Sequence, residues 1–178
     1  KPDAVILASG SVPQKPPIPG INRPEVVQAR EVLTGRAFVG PKVAVLGGGM
    51  VGAETAEYLA DRRRDVTLVE MLDAVAGDMP KGPRAYLLSR LAQLGVRIIT
   101  GARVDAITEH GLLLHVGGQH QMVDGFSSIV LATGSRPDDD LAAALQALEV
   151  DVTVVGDARQ VGRIADAIAQ AAEAALRV

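Results

Sequence analysis

The sequence predicts an α/β fold in which successive strand–helix–strand units build a parallel sheet, and three observations carry that prediction. Apolar runs rich in Val, Ile and Leu recur at Lys42–Leu46, Asp65–Glu70, Val96–Ile99 and Ser128–Ala132. Stretches of helical length, Met50–Arg62 and about Gly82 or Pro83 to Leu94, separate the first three of them. Between Ala102 and Val123 the helical period gives way to short segments broken by glycine. Strands alternating with helices of this length pair in parallel through right-handed crossovers, whereas short segments joined at glycine turns form an antiparallel meander. The expected architecture is a parallel sheet with helices on one side and a small β-meander on the other.

Each element has its own reason. Asp3–Ala8 is a short apolar run stopped by Ser9-Gly10, the pattern of a strand covered on both faces. Pro13, Pro16, Pro17, Pro19 and Pro24 exclude helix and central strand, so an extended connector follows. A short helix is expected over Glu25–Leu33, ended by Gly35. The meander strands are Arg103–Ile107, Leu112–Val116 and His120–Val123, with Gly111 and Gly117-Gly118 at the turns. After the strand 128–132, the segment Thr133–Pro137 closes it. A helix over Asp140–Leu148, a strand over Asp151–Val155, the pair Gly156-Asp157 and an Ala-rich helix over Ile164–Leu176 complete the chain. The segments 3–13 and 128–137 share the order strand, small residue, glycine and proline, as expected of equivalent strands in two similar sheets.

Composition narrows the chemistry. A chain of 178 residues that is 48% hydrophobic can bury roughly 70% of its unfolded surface, so its core is self-supporting. With no Cys, the chain offers no disulfide, thiolate metal ligand, Cys-ligated iron–sulfur cluster, nucleophilic thiol or redox dithiol. A net charge of −3 with mixed signs argues against a nucleic-acid partner. No stretch approaches the roughly 20 apolar residues of a membrane span, and no leader pattern opens the chain, so a cytoplasmic protein without a membrane partner is expected. Lys1-Pro2 runs straight into a strand pattern with no initiator Met, as expected of a chain cut from a longer polypeptide.

Gly47-Gly48-Gly49-Met50-Val51-Gly52 satisfies G-x-G-x-x-G directly after a strand and at the start of a helix. In that setting Gly47 allows the tight turn, Gly49 the approach of a pyrophosphate, and Gly52 close packing of helix on strand; the helix N-terminus supplies unpaired N–H groups to the anion. Glu70, at the end of the next strand, can accept hydrogen bonds from the adenosine ribose and would repel a 2′-phosphate, favouring NAD(H) over NADP(H). This makes the parallel sheet Rossmann-like. Arg62-Arg63-Arg64 lies at the far end of the helix and reads as a solvated terminus. His110, His115 and His120 fall on the meander without helical metal-site spacing or carboxylate partners and read as surface residues. Asp138-Asp139-Asp140 suits helix capping, and Met71 and Met79 suit loop packing.

The segments 47–60, Val66–Met71 and Leu94–Gly101 resemble the pyridine-nucleotide domain of the two-dinucleotide-binding-domain flavoproteins of the pyridine nucleotide-disulfide oxidoreductase type. Softer phrases, Glu70-Met-Leu-Asp73 and Asp78-Met-Pro80, are similar to the C-terminal region of the group of NADH:flavin oxidoreductases that includes 2,4-dienoyl-CoA reductase and trimethylamine dehydrogenase, whose members begin with an Old Yellow Enzyme-like barrel. The resemblance implies that residues 1–37 and 138–178 belong to a flanking FAD- or ADP-type α/β domain, around an NAD(H)-binding domain at 38–137. It places Ser9, Gly10, Gly156 and Asp157 on the FAD side, Gly134 in the NAD pocket and Glu54 near the nicotinamide, with no catalytic residue in the chain. The FAD-cradling glycine motif would precede Lys1, as would a TIM barrel with its FMN and any iron–sulfur cluster; the chain alone is then expected to bind FAD poorly and to be inactive.

The reading for the intact enzyme is an oxidoreductase in which this portion binds NADH and positions it for hydride transfer to a flavin. Its partners are small dinucleotides, the preceding part of the same polypeptide and, left open, a second copy of the chain. Two alternatives also stay open: a non-catalytic ADP or dinucleotide module, and a relative of NADH oxidase or ferredoxin reductase.

Overall fold

The computed structural model describes residue 2, residues 4–146 and residues 151–177. Its elements in chain order are β1 (Ala4–Leu7), β2 (Ser11–Pro13), β3 (Val26–Gln28), α1 (Ala29–Leu33), β4 (Lys42–Leu46), α2 (Met50–Asp61), β5 (Asp65–Val69), α3 (Lys81–Gln93), β6 (Arg97–Ile99), β7 (Ala102–Ile107), β8 (Gly111–Val116), β9 (Gln119–Asp124), β10 (Ser128–Leu131), β11 (Ser135–Pro137), α4 (Asp140–Gln146), β12 (Asp151–Val154) and α5 (Ile164–Ala175). Asp3 of the first predicted strand and the predicted helix end at 147–148 lie outside the described residues. The chain divides into two compact units, one of residues 15–133 and one of residues 1–14 with 134–178.

In the unit 15–133, five strands form a wholly parallel sheet in the order β3-β10-β4-β5-β6. Period-two alternation assigns each strand residue to a face. Val43, Val45, Val66, Leu68 and Val130 pack against Ala53, Ala56 and Leu59 of α2, Leu87 and Leu91 of α3 and Val32 of α1. Ala44, Leu46, Val69, Ile129 and Leu131 point the other way, onto Leu112, Leu114 and Val123 of the antiparallel meander β7-β8-β9. The two-sided arrangement expected from the sequence is therefore built by alternate residues of the same strands, each backed by its own apolar layer.

One element differs from its sequence reading. Residues 26–28 of the expected helix are a strand, pairing in parallel with β10 from Val26↔Ile129 to Gln28↔Leu131. Val26 and Val27 are β-branched and lie beside an open sheet edge, so ladder pairing outweighs one turn of helix. The helix starts only at Ala29, where the Glu31 carboxylate accepts the Gln28 N–H at 2.9 Å.

In the second unit, β1 and β12 form a two-stranded parallel ladder, Ala4↔Asp151 to Leu7↔Val154. Ile6 is 42% exposed, so β1 is not covered on both faces by these residues. The segments after the two glycine stops, read from sequence as an extended connector and as the closure of a strand, are the short strands β2 and β11, and they pair with each other antiparallel. α5 follows the 3-10 turn 156–158 and leaves Ile164 and Ile168 exposed.

Candidate functional site

The glycine turn joins β4 to α2 at the carboxyl ends of the sheet strands. Gly47 has φ +97, and a Cβ there would stand 2.4 Å from the Ala132 carbonyl oxygen. A Cβ on Gly52 would lie 1.8 Å from the Gly47 oxygen, so helix and strand ends meet with no room for a side chain. At Gly48 the obstacle is Glu70, whose Cβ would lie 2.8 Å away. Those three glycines are explained by the chain's own packing. Gly49 is not: it is the N-cap of α2 with extended backbone (φ −64, ψ −176), and the nearest atom to a Cβ would be an Asp78 carboxylate oxygen at 3.6 Å, an ordinary contact. Its bare backbone puts no side chain of its own over the N-terminal end of a twelve-residue helix, where N–H groups attract an anion.

Glu70 closes one side of this turn. It sits just past β5, buried to 8% exposure, with its own N–H bonded to the Ile99 carbonyl at 2.8 Å. Its carboxylate accepts the Gly48 N–H on one oxygen and the Leu72 N–H, at 2.8 Å, on the other. Each carboxylate oxygen retains acceptor capacity, so hydroxyl donors of a ligand can add to these bonds without displacing them. The structure thus brings Gly47–Gly52 and Glu70 into one constellation.

Residues that the sequence set aside fall where their chemistry puts them, with two exceptions. Arg62, Arg63 and Arg64 follow the C-terminal end of α2, about 18 Å of helix away from the glycine turn, and Arg62 stacks on Tyr58 at 3.6 Å. Glu54, not set aside but placed near the nicotinamide by the resemblance, is exposed on the second turn of α2. α4 begins at Asp140. Met79 packs against the helix-side core, but Met71 is 68% exposed because the chain turns outward directly after Glu70. His115 and His120 stack across β8 and β9 at 5.2 Å, and His120 Nδ1 lies 3.2 Å from Asp105 while His110 lies 3.3 Å from Glu109. Two of the histidines therefore do have carboxylate neighbours; cross-strand register, invisible in linear spacing, supplies one of them. Among the described residues no group of three or more His, Cys, Asp or Glu is arranged to hold a metal ion, and no helix is long and apolar enough to cross a membrane.

In the second unit, Ser9 Oγ donates to the Asp138 carbonyl at 2.5 Å and the Asp138 N–H donates to the Gly10 carbonyl at 3.0 Å. Gly134 has φ +93, and its carbonyl accepts the Gln14 N–H at 2.9 Å. Asp157 accepts Ser11 Oγ at 3.2 Å and the Gly162 N–H at 3.0 Å, and Gly156, at φ +63, donates its N–H to Gln170 at 2.8 Å. Sequence reasoning missed two participants at the glycine turn, Leu72 and Asp78. Both act from the irregular loop 70–80, where no periodic pattern marks them.

Residues 1–166 match the pyridine nucleotide-disulphide oxidoreductase family. An NADH oxidase of Thermoanaerobacter brockii is 38% identical over 99% of this chain and 28% of its own length. A bilirubin reductase of Mediterraneibacter gnavus is 36% identical over 89% of this chain and 25% of its own length. Among solved structures, a 2-naphthoyl-CoA reductase in complex with 2-naphthoyl-CoA superposes with a TM-score of 0.91 at 26% identity, covering 99% of this chain and 27% of that one. The chain spans about a quarter of the length of these relatives. With its parallel sheet, glycine turn and strand-end glutamate, the chain belongs to the pyridine nucleotide-disulphide oxidoreductase family.

Proposed function

We propose that residues 38–137 form the NAD(H)-binding domain of a flavin-dependent oxidoreductase, with 1–37 and 138–178 contributing to an FAD-type domain. The observation that carries this reading is the buried Glu70 carboxylate bonded to Gly48 at the mouth of α2, which joins a ribose acceptor and an anion-binding helix end in one turn. The diphosphate would lie on the backbone of Gly47, Gly48 and Gly49 and the N–H groups of Met50 and Val51, with Gly52 holding the helix against the strand. Glu70 would accept the ribose hydroxyls and disfavour a 2′-phosphate, hence NAD(H) over NADP(H). Exposed Met71 and Leu72 flank that acid and offer apolar surface to the adenine side. Gly134 would give close backbone access on the nicotinamide side, near which Glu54 would lie. Ser9, Gly10, Gly156 and Asp157 would serve the flavin.

Bound NADH supplies a hydride, and the intact protein would deliver it to FAD, any FMN or iron–sulfur cluster lying in other regions of the polypeptide. This chain's residues bind and orient; none of them needs to transfer a proton. Calorimetric titration with NADH, NADPH, ADP and FAD side by side tests the reading. Micromolar NADH binding with weaker NADPH binding supports it, and equal affinity for the two refutes the ribose assignment. A second reading, an ADP-binding module, is favoured by the fact that Gly47–Gly52 and Glu70 together address only the adenosine diphosphate half of the ligand. ADP binding as tight as NADH would select it.

A further inference from the structure

The loop after Glu70 brings one of the chain's own carboxylates to the open end of α2. The Met50 N–H donates to both Asp78 oxygens, at 2.9 and 3.2 Å. Met50 is the first residue of the helix, so this N–H has no intrahelical acceptor and lies at the positive end of the helix dipole. Three ties fix the loop over the turn. The Ala76 N–H donates to the Gly48 carbonyl at 2.6 Å, Val75 and Ala76 are buried in the helix-side core, and Arg84 Nε donates to the Val75 carbonyl at 2.8 Å. Asp78 itself is exposed, so its side chain can turn away while these ties persist. Another helix start lies close by: α3 opens behind Pro80, which provides no side-chain cap, and its first turn carries no acid.

Resting on the dinucleotide reading above, we propose that Asp78 is an internal counter-anion that occupies the Met50 N–H until a diphosphate displaces it, and so sets the affinity for phosphate-bearing ligands. Carboxylate and diphosphate seek the same donor, and at a few ångströms they repel. The observed affinity is then the intrinsic affinity reduced by the fraction of molecules in which Asp78 has let go. A merely structural cap has the opposite consequence, because its loss would fray the helix start and weaken binding.

The test compares the unsubstituted protein with Asp78→Asn and Asp78→Ala, titrated with NADH, ADP and adenosine by calorimetry, while the Met50 amide is followed by NMR. The proposal expects NADH and ADP to bind at least about tenfold tighter to Asp78→Ala, a difference of about 1.4 kcal/mol. Asp78→Asn should gain less, because its side-chain carbonyl can still accept the Met50 N–H without the charge. Adenosine, lacking phosphate, should change by less than about twofold. The Met50 amide resonance should shift in Asp78→Ala before any ligand is added. If the unsubstituted protein binds NADH and neither variant binds it tighter, the proposal is overturned and the dinucleotide reading stands. If none of the three proteins binds NADH or ADP, both are overturned. Asp78→Asn keeps the side-chain shape and decides the matter should Asp78→Ala fail to melt cooperatively.

Discussion

Replacing Glu70 by alanine is expected to loosen the glycine turn and to change which dinucleotide the turn accepts. The carboxylate serves two backbone donors, Gly48 and Leu72. A hydrogen bond to a charged group contributes about 1.5–3 kcal/mol, but the two losses are unequal. Leu72 is 62% exposed and its N–H can turn to water. The Gly48 bond is buried, so its donor would be left without an acceptor and incur the desolvation cost. The expected destabilisation is therefore about 2–3 kcal/mol, lowering the melting temperature of the unit on the order of 10 °C. Removing the negative charge also removes the repulsion of a 2′-phosphate, so NADPH should gain on NADH. Urea unfolding followed by circular dichroism reads the first effect, and calorimetric titration the second. A stability change below about 0.5 kcal/mol would show that the carboxylate does not hold the turn. An NADH preference that survives the substitution would remove Glu70 from the ribose argument.

Further outcomes follow from other contacts. Gly52→Ala places a Cβ 1.8 Å from the Gly47 oxygen, so α2 must shift away from β4; the expected cost is about 1–3 kcal/mol with at least tenfold weaker NADH binding, checked by thermal melts and titration. Leu91→Ala, at a fully buried position between α3 and the sheet, should cost about 2–5 kcal/mol in urea unfolding while leaving the NADH-to-NADPH ratio unchanged. Glu25 has its carboxyl held below the ordinary value of 4.5 by the hydrogen bond from Arg23 at 2.5 Å, with smaller help from the backbone. A folded-state value that is lowered contributes stability above 4.5, lost as pH falls through the lowered value. Arg23→Ala should therefore cost stability near neutrality and converge with the unsubstituted protein in acid; parallel stability curves between pH 3 and 6 would contradict this.

Much of the parallel sheet was legible because strands buried on both faces leave a continuous apolar signature, as at Val43–Leu46 and Val66–Val69, whatever they pack against. The glycine turn and Glu70 were legible from spacing: the Gly52 contact with the Gly47 oxygen is settled within a few residues of chain, although the obstacle at Gly47 itself, the Ala132 carbonyl, comes from a distant strand end. Three of the four three-residue strands were not, β6 being the exception. β3, β2 and β11 exist because a partner strand offers pairing, and nothing in Val26-Val27-Gln28 names that partner. The resemblance between segments 3–13 and 128–137 pointed to equivalent strands and not to pairing, yet their tails Ser11–Pro13 and Ser135–Pro137 are strands that pair with each other. Asp78 and Leu72 escaped because loop backbone geometry decides which carboxylate meets which N–H. The neighbour of His120 escaped because it comes from β7, on the far side of β8 from β9.

The pairing of β2 with β11 also bears on the order in which the chain can fold. Pro13 lies opposite Ser135, so the two ends of the unit 15–133 are held side by side by the strands that lead into and out of it. In the unfolded chain, the β1–β12 ladder has to close a loop running from Ala4 to Asp151, and the entropic cost of closure rises with loop length. Once 15–133 has folded and β2 has paired with β11, most of that loop no longer contributes. The outer ladder then becomes a local contact, which favours a sequence of events in which the unit 15–133 forms first and β1 and β12 zip last. The same adjacency makes residues 14 and 134 natural points at which the unit could be excised and bridged by a short turn.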